Sequence, residues 1–121
     1  PYNAINHALL SFDQPAGPHR AILQGREHRG AEKAWLAGRD PRTEHLDRWN
    51  NSYGIESNRQ GLSLEQFEDK IINDFKEGYP EGGPQVGQNL ITNYNDLPES
   101  YYPEIHKTPA ALLYAKGLLE P

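Results

Sequence analysis

The stretch that decides the fold runs from Asp40 to Gly54 and reads Asp-Pro-Arg-Thr-Glu-His-Leu-Asp-Arg-Trp-Asn-Asn-Ser-Tyr-Gly. Asp40 can cap a helix N-terminus, and Pro41 suits the first helical position, where a missing N–H costs nothing. Gly54 can adopt the left-handed conformation that ends a helix. Large side chains recur between these ends at helical spacing: Leu46, Trp49 or Asn50, and Tyr53. The sequence therefore predicts a short helix that faces the core along this stripe.

Helical patterns also precede this stretch. Residues 3–12 carry apolar side chains at helical spacing, with Asn3 as a cap. A second helix is predicted from Pro18 to about Ala37, although Gly25 and Gly30 lie inside it. Each glycine costs about 1 kcal/mol relative to alanine. They predict either a break in this helix or close packing of another element against its backbone.

The clearest helix signal follows the decisive stretch. Ser63 and Gln66 have capping-box spacing, and Gly78 is the expected stop. The predicted inner stripe is Leu64, Phe67, Ile71 and Phe75, and the predicted outer face is Glu65, Glu68, Asp69 and Asp74. Residues 79–107 are interrupted by proline and glycine, and a last helix is expected from Thr108. The sequence thus predicts a mainly α fold of four to five helices with one long irregular loop before the last helix.

Composition narrows the class of protein. A chain of 121 residues predicts a single domain over 1–121. The absence of cysteine excludes disulfides and thiolate metal sites. No apolar run approaches the ~18 residues of a membrane span, so no span is expected. Because the chain opens on Pro1 without Met, we expect a piece released from a longer polypeptide.

Charge is distributed unevenly along the chain. The net charge is −5, yet residues 18–48 hold seven Arg and Lys against five Asp and Glu, together with three histidines. An acidic total argues against non-specific coating of DNA. A locally basic, His-bearing half is able to hold an anionic substrate. The alternative is that these charges belong to solvated helix faces.

The candidate catalytic residues lie in and before the decisive stretch. Cleavage of a phosphodiester needs a base, a proton donor for the leaving group and a cation for the developing charge. The predicted catalytic residues are His28, His45, Glu32, Asp47 and Asn50. The predicted substrate-binding residues are Arg29, Arg48, Trp49 and Asn51.

A metal is a weaker interpretation of the same residues. His28 and Glu32 are four residues apart on one helix face, and His45 lies on the next helix. A surface His–Glu pair is the commoner cause of this spacing, so no metal site is predicted and no cofactor is named.

The decisive stretch resembles a helical family found at the C-terminal ends of bacterial secreted polymorphic toxins and wall-associated proteins. That family shows Asn-Pro and then Met-Asp-Leu-His-Asn-Asn-x-x-Gly. Asp47, Asn50, Asn51 and Gly54 match it, whereas Trp49 and, approximately, Trp35 stand where the family has His. The resemblance implies a toxin domain that is secreted and delivered into a target cell, with a cognate immunity protein as partner.

Two other functions are compatible with the sequence. The run 50–56, Asn-Asn-Ser-Tyr-Gly-Ile-Glu, is similar to a stretch of bacterial cell-wall glucosaminidases and implies a glycan hydrolase with Glu32 as the acid. The second alternative is a non-enzymatic binding module that uses the 79–107 loop. Its tyrosines suit an interface or simply pin the loop to the core: Tyr94, Tyr101 and Tyr102.

The leading hypothesis is a toxin domain that hydrolyses an anionic substrate, nucleic acid or nucleotide, by His/Arg acid–base chemistry.

Overall fold

Helices and short turns make up the described part of the chain, which contains no strand. The computed structural model describes residues 2–13, 29–37, 39–103 and 106. In it α1 spans Tyr2–Phe12, α2 covers 29–36, α3 spans Arg42–Arg59 and α4 spans Leu64–Glu77. Short 3₁₀ turns follow at Tyr94–Asp96 and Glu99–Tyr101. The described chain is mainly α, as predicted; the expected start of α2 and the expected last helix lie outside the described residues.

The central helix α3 is longer than predicted because Gly54 does not end it. Gly54 is buried in the middle of the helix, where α1 crosses it. A Cβ there would overlap Ala8 O and lie 2.8 Å from Phe12 N, closer than real Cβ atoms come. The glycine therefore permits a close approach of two helix backbones. Its identification as a C-terminal stop was wrong.

The start of α3 agrees more closely with the prediction. The helix begins at Arg42, with Pro41 at the N-cap position, one residue later than expected. The Asp40 carboxylate accepts a hydrogen bond from the backbone N–H of Arg42 at 2.9 Å and also pairs with the Arg42 guanidinium. It thereby supplies one of the acceptors that the first turn of a helix lacks.

Two apolar clusters lie against α3. The first joins α1, α3 and α4: Ala4, Ala8, Phe12, Tyr53, Phe67, Ile71 and Leu90. Its centre is a stacked ring pair, Phe12 and Phe67, with centroids 4.4 Å apart. The second joins α3 to the long loop: Leu46, Trp49, Ile91, Leu97 and Tyr102. The predicted inward stripe of α3 is confirmed, and it serves both clusters.

The N-terminus of α4 is closed as the sequence predicts. The backbone N–H of Gln66 donates to Ser63 Oγ at 3.2 Å, and the backbone N–H of Ser63 donates to Gln66 Oε1 at 2.9 Å. At the other end Gly78 has φ +73°, a backbone conformation that favours glycine. Each signal is local in sequence, so neither depends on what α4 packs against.

The predicted stripe of α4 is only half correct. Phe67 and Ile71 are buried, but Leu64 is 55% and Phe75 49% exposed. The helix packs through its two middle turns, and its ends extend beyond the core. Asp74, expected to face solvent, is instead half-buried, and its carboxylate accepts the backbone N–H of Leu90 at 3.2 Å.

The loop after α4 is held to α3 through its backbone. The indole N–H of Trp49 donates to the carbonyl of Asn89 at 2.6 Å. The Asn50 amide donates to the carbonyl of Ile91 at 2.9 Å and accepts the N–H of Ile91 at 3.1 Å. In residues 89–91, called the docking segment below, two adjacent side chains of α3 thus satisfy the carbonyls of Asn89 and Ile91 and the N–H of Ile91. Within the described part of the chain no helix is long and apolar enough to cross a membrane.

Candidate functional site

A pair of buried histidines lies where α3 meets the end of the long loop. His45 Nε2 and His106 Nδ1 are 2.9 Å apart, and both side chains are almost completely buried. The edge of His45 also contacts the Tyr102 ring, with centroids 5.4 Å apart. Burying two polar rings is costly unless they are hydrogen-bonded. The hydrogen bond between the two rings therefore offsets part of the cost of burying them beside aromatic side chains.

The neighbours of His45 fix the direction of the hydrogen bonds. Arg48 Nη2 lies 3.3 Å from His45 Nδ1 and also donates to the carbonyl of Tyr101 at 3.2 Å. A guanidinium is only a donor, so His45 Nδ1 must accept. His45 Nε2 therefore carries the proton and donates to His106 Nδ1, which leaves the proton of neutral His106 on Nε2.

The series of contacts from Arg48 through the two histidines reaches the protein surface at α2. His106 Nε2 lies 3.9 Å from Glu32 Oε1, and the Glu32 side chain is about half exposed. Arg29 and Lys33 are also exposed. Arg29 lies three residues before Glu32 on the same face of the helix, whereas Lys33 is the next residue along the chain and faces a different part of the surface. We call Arg48, His45, His106 and Glu32 the histidine relay.

Burial keeps the neighbouring tyrosines neutral. It raises the pKa of Tyr102 to about 12, and the Tyr102 hydroxyl donates to the carbonyl of Tyr94. Burial also raises the pKa of Tyr101, against the opposing influence of the Arg48 guanidinium, which stacks over the Tyr101 ring at 4.2 Å. These tyrosines pin the loop to α3, which was the plainer of the two interpretations.

A second polar cluster lies on the α1 side of α3. The Asp47 carboxylate is 3.3 Å from His7 Nε2 and accepts from the Asn3 amide at 3.0 Å. Burial raises the pKa of Asp47, while His7 and Asn3 act in the opposite direction. Asn51 Oδ1 accepts from Ser11 at 2.8 Å and contacts His7 Nδ1 at 3.0 Å. These contacts tie α1 to α3 away from the histidine relay.

The predicted site residues therefore separate into groups. His45, Arg48 and Glu32 belong to the histidine relay, with Arg29 at its outer end. Asp47 and Asn51 contact α1, and Trp49 and Asn50 hold the docking segment. Trp49, Asn50 and Asn51 are fully buried, so in this structure they have no access to a substrate. His28 lies outside the described residues.

Two histidines and one carboxyl group were not singled out from the sequence. His106 is separated from His45 by 61 residues, and no local pattern connects them. His7 lies on α1 at helical spacing from Asn3, a weak signal. Burial raises the pKa of Glu44, and its Oε2 is buried without a hydrogen-bond partner in the described chain.

The two relay histidines contact each other directly. Within residues 2–13, 29–37, 39–103 and 106, no three His, Asp or Glu side chains are grouped so as to hold a metal ion. One nitrogen of each relay histidine is already used in the contact between the two rings.

A scan of family models, a search of curated proteins and a search of solved structures each found no match to this chain.

Proposed function

We propose that this protein is a hydrolase of an anionic substrate, a nucleic acid or nucleotide, and that it acts as a toxin domain secreted into a target cell. The observation that carries the proposal is the histidine relay. It runs from half-buried Arg48 through His45 and His106 to the exposed carboxylate of Glu32, with Arg29 one helical turn away on α2. The secreted context is supported by the resemblance of the stretch 40–54 alone.

Glu32 is the group that meets the substrate in this mechanism. Its carboxylate accepts a proton from the attacking water as the new P–O bond forms. Arg29 stabilises the charge that grows on the phosphoryl oxygens. As the ester P–O bond breaks, the proton passes from Glu32 to the leaving oxygen.

His106 and His45 act behind Glu32 as positioning residues. His106 Nε2 lies 3.9 Å from the Glu32 carboxylate, beyond hydrogen-bond length, and His45 keeps His106 in the tautomer that carries its proton on Nε2. His45 was predicted to be an acid or base in contact with substrate. Its side chain is fully buried, which favours the positioning role instead.

The first test is expression in a bacterial cytoplasm. We expect the parent chain to arrest growth and Glu32→Gln to restore it, because glutamine keeps the shape but cannot accept the proton. Glu65→Gln, at an exposed carboxylate on α4, is the matched control and should remain toxic. With purified protein and a panel of RNA, DNA and nucleotides, Glu32→Gln should lower the rate about a hundredfold or more.

The positioning role has its own readout. His106→Gln, folded by circular dichroism, should lower kcat with little change in KM and should alter the pH profile of kcat. Full activity of both Glu32→Gln and His106→Gln would overturn the proposed mechanism. Growth that is unaffected by the parent chain would remove the cytosolic toxin hypothesis itself.

An effector of this kind requires a partner that neutralises it in the producing cell. We propose that an immunity protein binds the exposed part of the long loop and the acidic C-terminal half. Co-expression of a candidate partner should restore growth, and charge reversal at Glu81 and Glu99, which are exposed on that loop, should weaken the rescue.

A further inference from the structure

Three contacts attach the end of the long loop to α3. His45 Nε2 lies 2.9 Å from His106 Nδ1, the Arg48 guanidinium donates to the carbonyl of Tyr101 at 3.2 Å, and the edge of His45 contacts the Tyr102 ring. We call Tyr101, Tyr102 and His106 the loop end. All three contacts are made by the imidazole of His45 or by the guanidinium beside it.

The contact between the two rings requires both imidazoles to be neutral. A neutral imidazole has one N–H and one acceptor nitrogen, whereas a protonated imidazole has two N–H groups and no acceptor. When His106 takes up a proton, its Nδ1–H faces the Nε2–H of His45, and the hydrogen bond between the rings is lost.

A change of tautomer does not avoid this loss. His45 can become the acceptor only by carrying its own proton on Nδ1, where it faces the Arg48 guanidinium at 3.3 Å. A guanidinium has donors and no acceptor, so the contact between His45 and Arg48 is then lost instead. Protonation of His45 itself has the same effect. One added proton therefore removes one buried hydrogen bond, whichever ring receives it.

The charged groups that face the pair act in opposite directions. Arg48 on α3 places a positive charge beside His45, which disfavours a second positive charge there. Glu32 on α2 lies 3.9 Å from His106 Nε2 and attracts a positive charge, although its half-exposed side chain lets solvent weaken the attraction. The Trp35 ring beside His106 is uncharged, and burial raises the pKa of both tyrosines of the loop end. An added proton is therefore directed to His106, where it breaks the contact between the rings.

We propose that the attachment of the loop end to α3 is a pH-sensitive switch, closed when both histidines are neutral and opened by protonation of the pair. The open state binds more protons than the closed state, so a lower pH favours opening. A solvated imidazole has a pKa of about 6.5, and opening should increase as the pH falls below that value. The inference goes beyond the proposed hydrolysis, and its test uses no substrate.

The test is amide hydrogen exchange of the isotopically labelled whole chain, followed by NMR. The backbone N–H groups of Tyr102 and His106 donate to the carbonyls of Glu99 and Pro103, so their protection reports on the loop end. After correction for the intrinsic pH dependence of exchange, this protection should fall about tenfold for one imidazole, or a hundredfold for two, from about pH 7.5 to about pH 5.5. At the lower pH the N–H of Ile71 in α4 should remain better protected than the loop end, which separates local opening from global unfolding.

Matched variants assign the response to the histidine pair. His106→Asn keeps an acceptor oxygen for the N–H of His45 but takes up no proton, so its protection should fall about tenfold less than that of the parent. His7→Gln removes the histidine that contacts Asp47 on the α1 side of α3 and should leave the response unchanged. Arg48→Met removes the guanidinium, so His45 can carry the extra proton on Nδ1 while the bond between the rings is kept, and the response should weaken.

Three results would overturn the proposal. The first is equal protection of the loop end at both pH values. The second is a charged ring on His45 or His106 at the higher pH, read from the ring nitrogen shifts of the same sample. The third is an undiminished acid response in His106→Asn or, where that variant does not fold, in Arg48→Met.

Discussion

In the substitution Gly54→Ala, helix propensity and tertiary packing have opposite effects on the stability of the protein. In the interior of a helix, alanine is favoured over glycine by about 1 kcal/mol, so propensity alone predicts a more stable protein. The added Cβ would overlap Ala8 O and lie 2.8 Å from Phe12 N and 3.0 Å from Ser11 Cβ. Two of these three atoms belong to the backbone of α1, which has no flexible end to move aside.

The helix α1 must therefore retreat from α3. Overpacking of this kind costs about 1–3 kcal/mol. The retreat also stretches the hydrogen bonds that join the helices, Asn3 to Asp47, Ser11 to Asn51 and Asn58 to the carbonyl of Phe12. Each weakened hydrogen bond adds a loss of about 0.5–1.5 kcal/mol, and the gain in helix propensity offsets about 1 kcal/mol. We expect a net loss of about 2–4 kcal/mol in the free energy of unfolding, or roughly 8–16 °C in Tm.

The matched control is Gly30→Ala. A Cβ at Gly30 would meet only Glu44 Cγ, at 3.3 Å, which is part of a flexible side chain. Urea unfolding followed by circular dichroism should show Gly30→Ala equal to the parent or up to about 1 kcal/mol more stable. A Gly54→Ala protein as stable as the parent would refute the close-approach explanation and return Gly54 to the role of a propensity defect.

Two further predictions concern the loop and its tyrosines. Asn50→Ala should lower the free energy of unfolding by about 2–4 kcal/mol, because it leaves the N–H and C=O of Ile91 buried and unpaired; Asn73→Ala, at an exposed position, should change it by less than about 0.5 kcal/mol. Burial raises the pKa of Tyr102 from 10.0 to about 12, so the contribution of the neutral phenol to stability is complete below pH 10 and is lost as the pH rises through 12. Tyr102→Phe should therefore reduce the loss of unfolding free energy at alkaline pH by roughly 2 kcal/mol. An unchanged pH profile would contradict the conclusion that burial of this phenol raises its pKa.

Local signals in the sequence were sufficient to predict those helix ends that depend only on neighbouring residues. The capping box of Ser63 and Gln66 and the positive φ of Gly78 are properties of a few consecutive residues, and both were predicted correctly. Gly54 carries the same local signal as Gly78. What distinguishes them is the presence of α1 against Gly54, which arrives from more than forty residues away and has no trace in the nearby sequence.

The candidate site was predicted in its parts but not in its assembly. His45, Arg48 and Glu32 were chosen for their chemistry, and the structure brings them together. The link between them is His106, which joins them only through the fold. Asn50 was predicted to be catalytic and Trp49 to bind substrate, yet their hydrogen bonds are used by the docking segment. Sequence indicates which groups are present, whereas the direction of each side chain depends on its helix face and partners.

The way the docking segment is held has a consequence for how the loop can change. Trp49 and Asn50 recognise two carbonyls and one N–H of residues 89–91, groups that any amino acid other than proline provides. The same anchor would accept many loop sequences, provided that apolar residues fill the places of Leu90 and Ile91 in the two clusters. Residues 79–86 can therefore diversify, or grow by insertion, while the helical frame and the buried Gly87 beside Glu56 stay constant. Hydrogen bonds to backbone groups thus allow the sequence of the exposed loop to change while its attachment to α3 is kept.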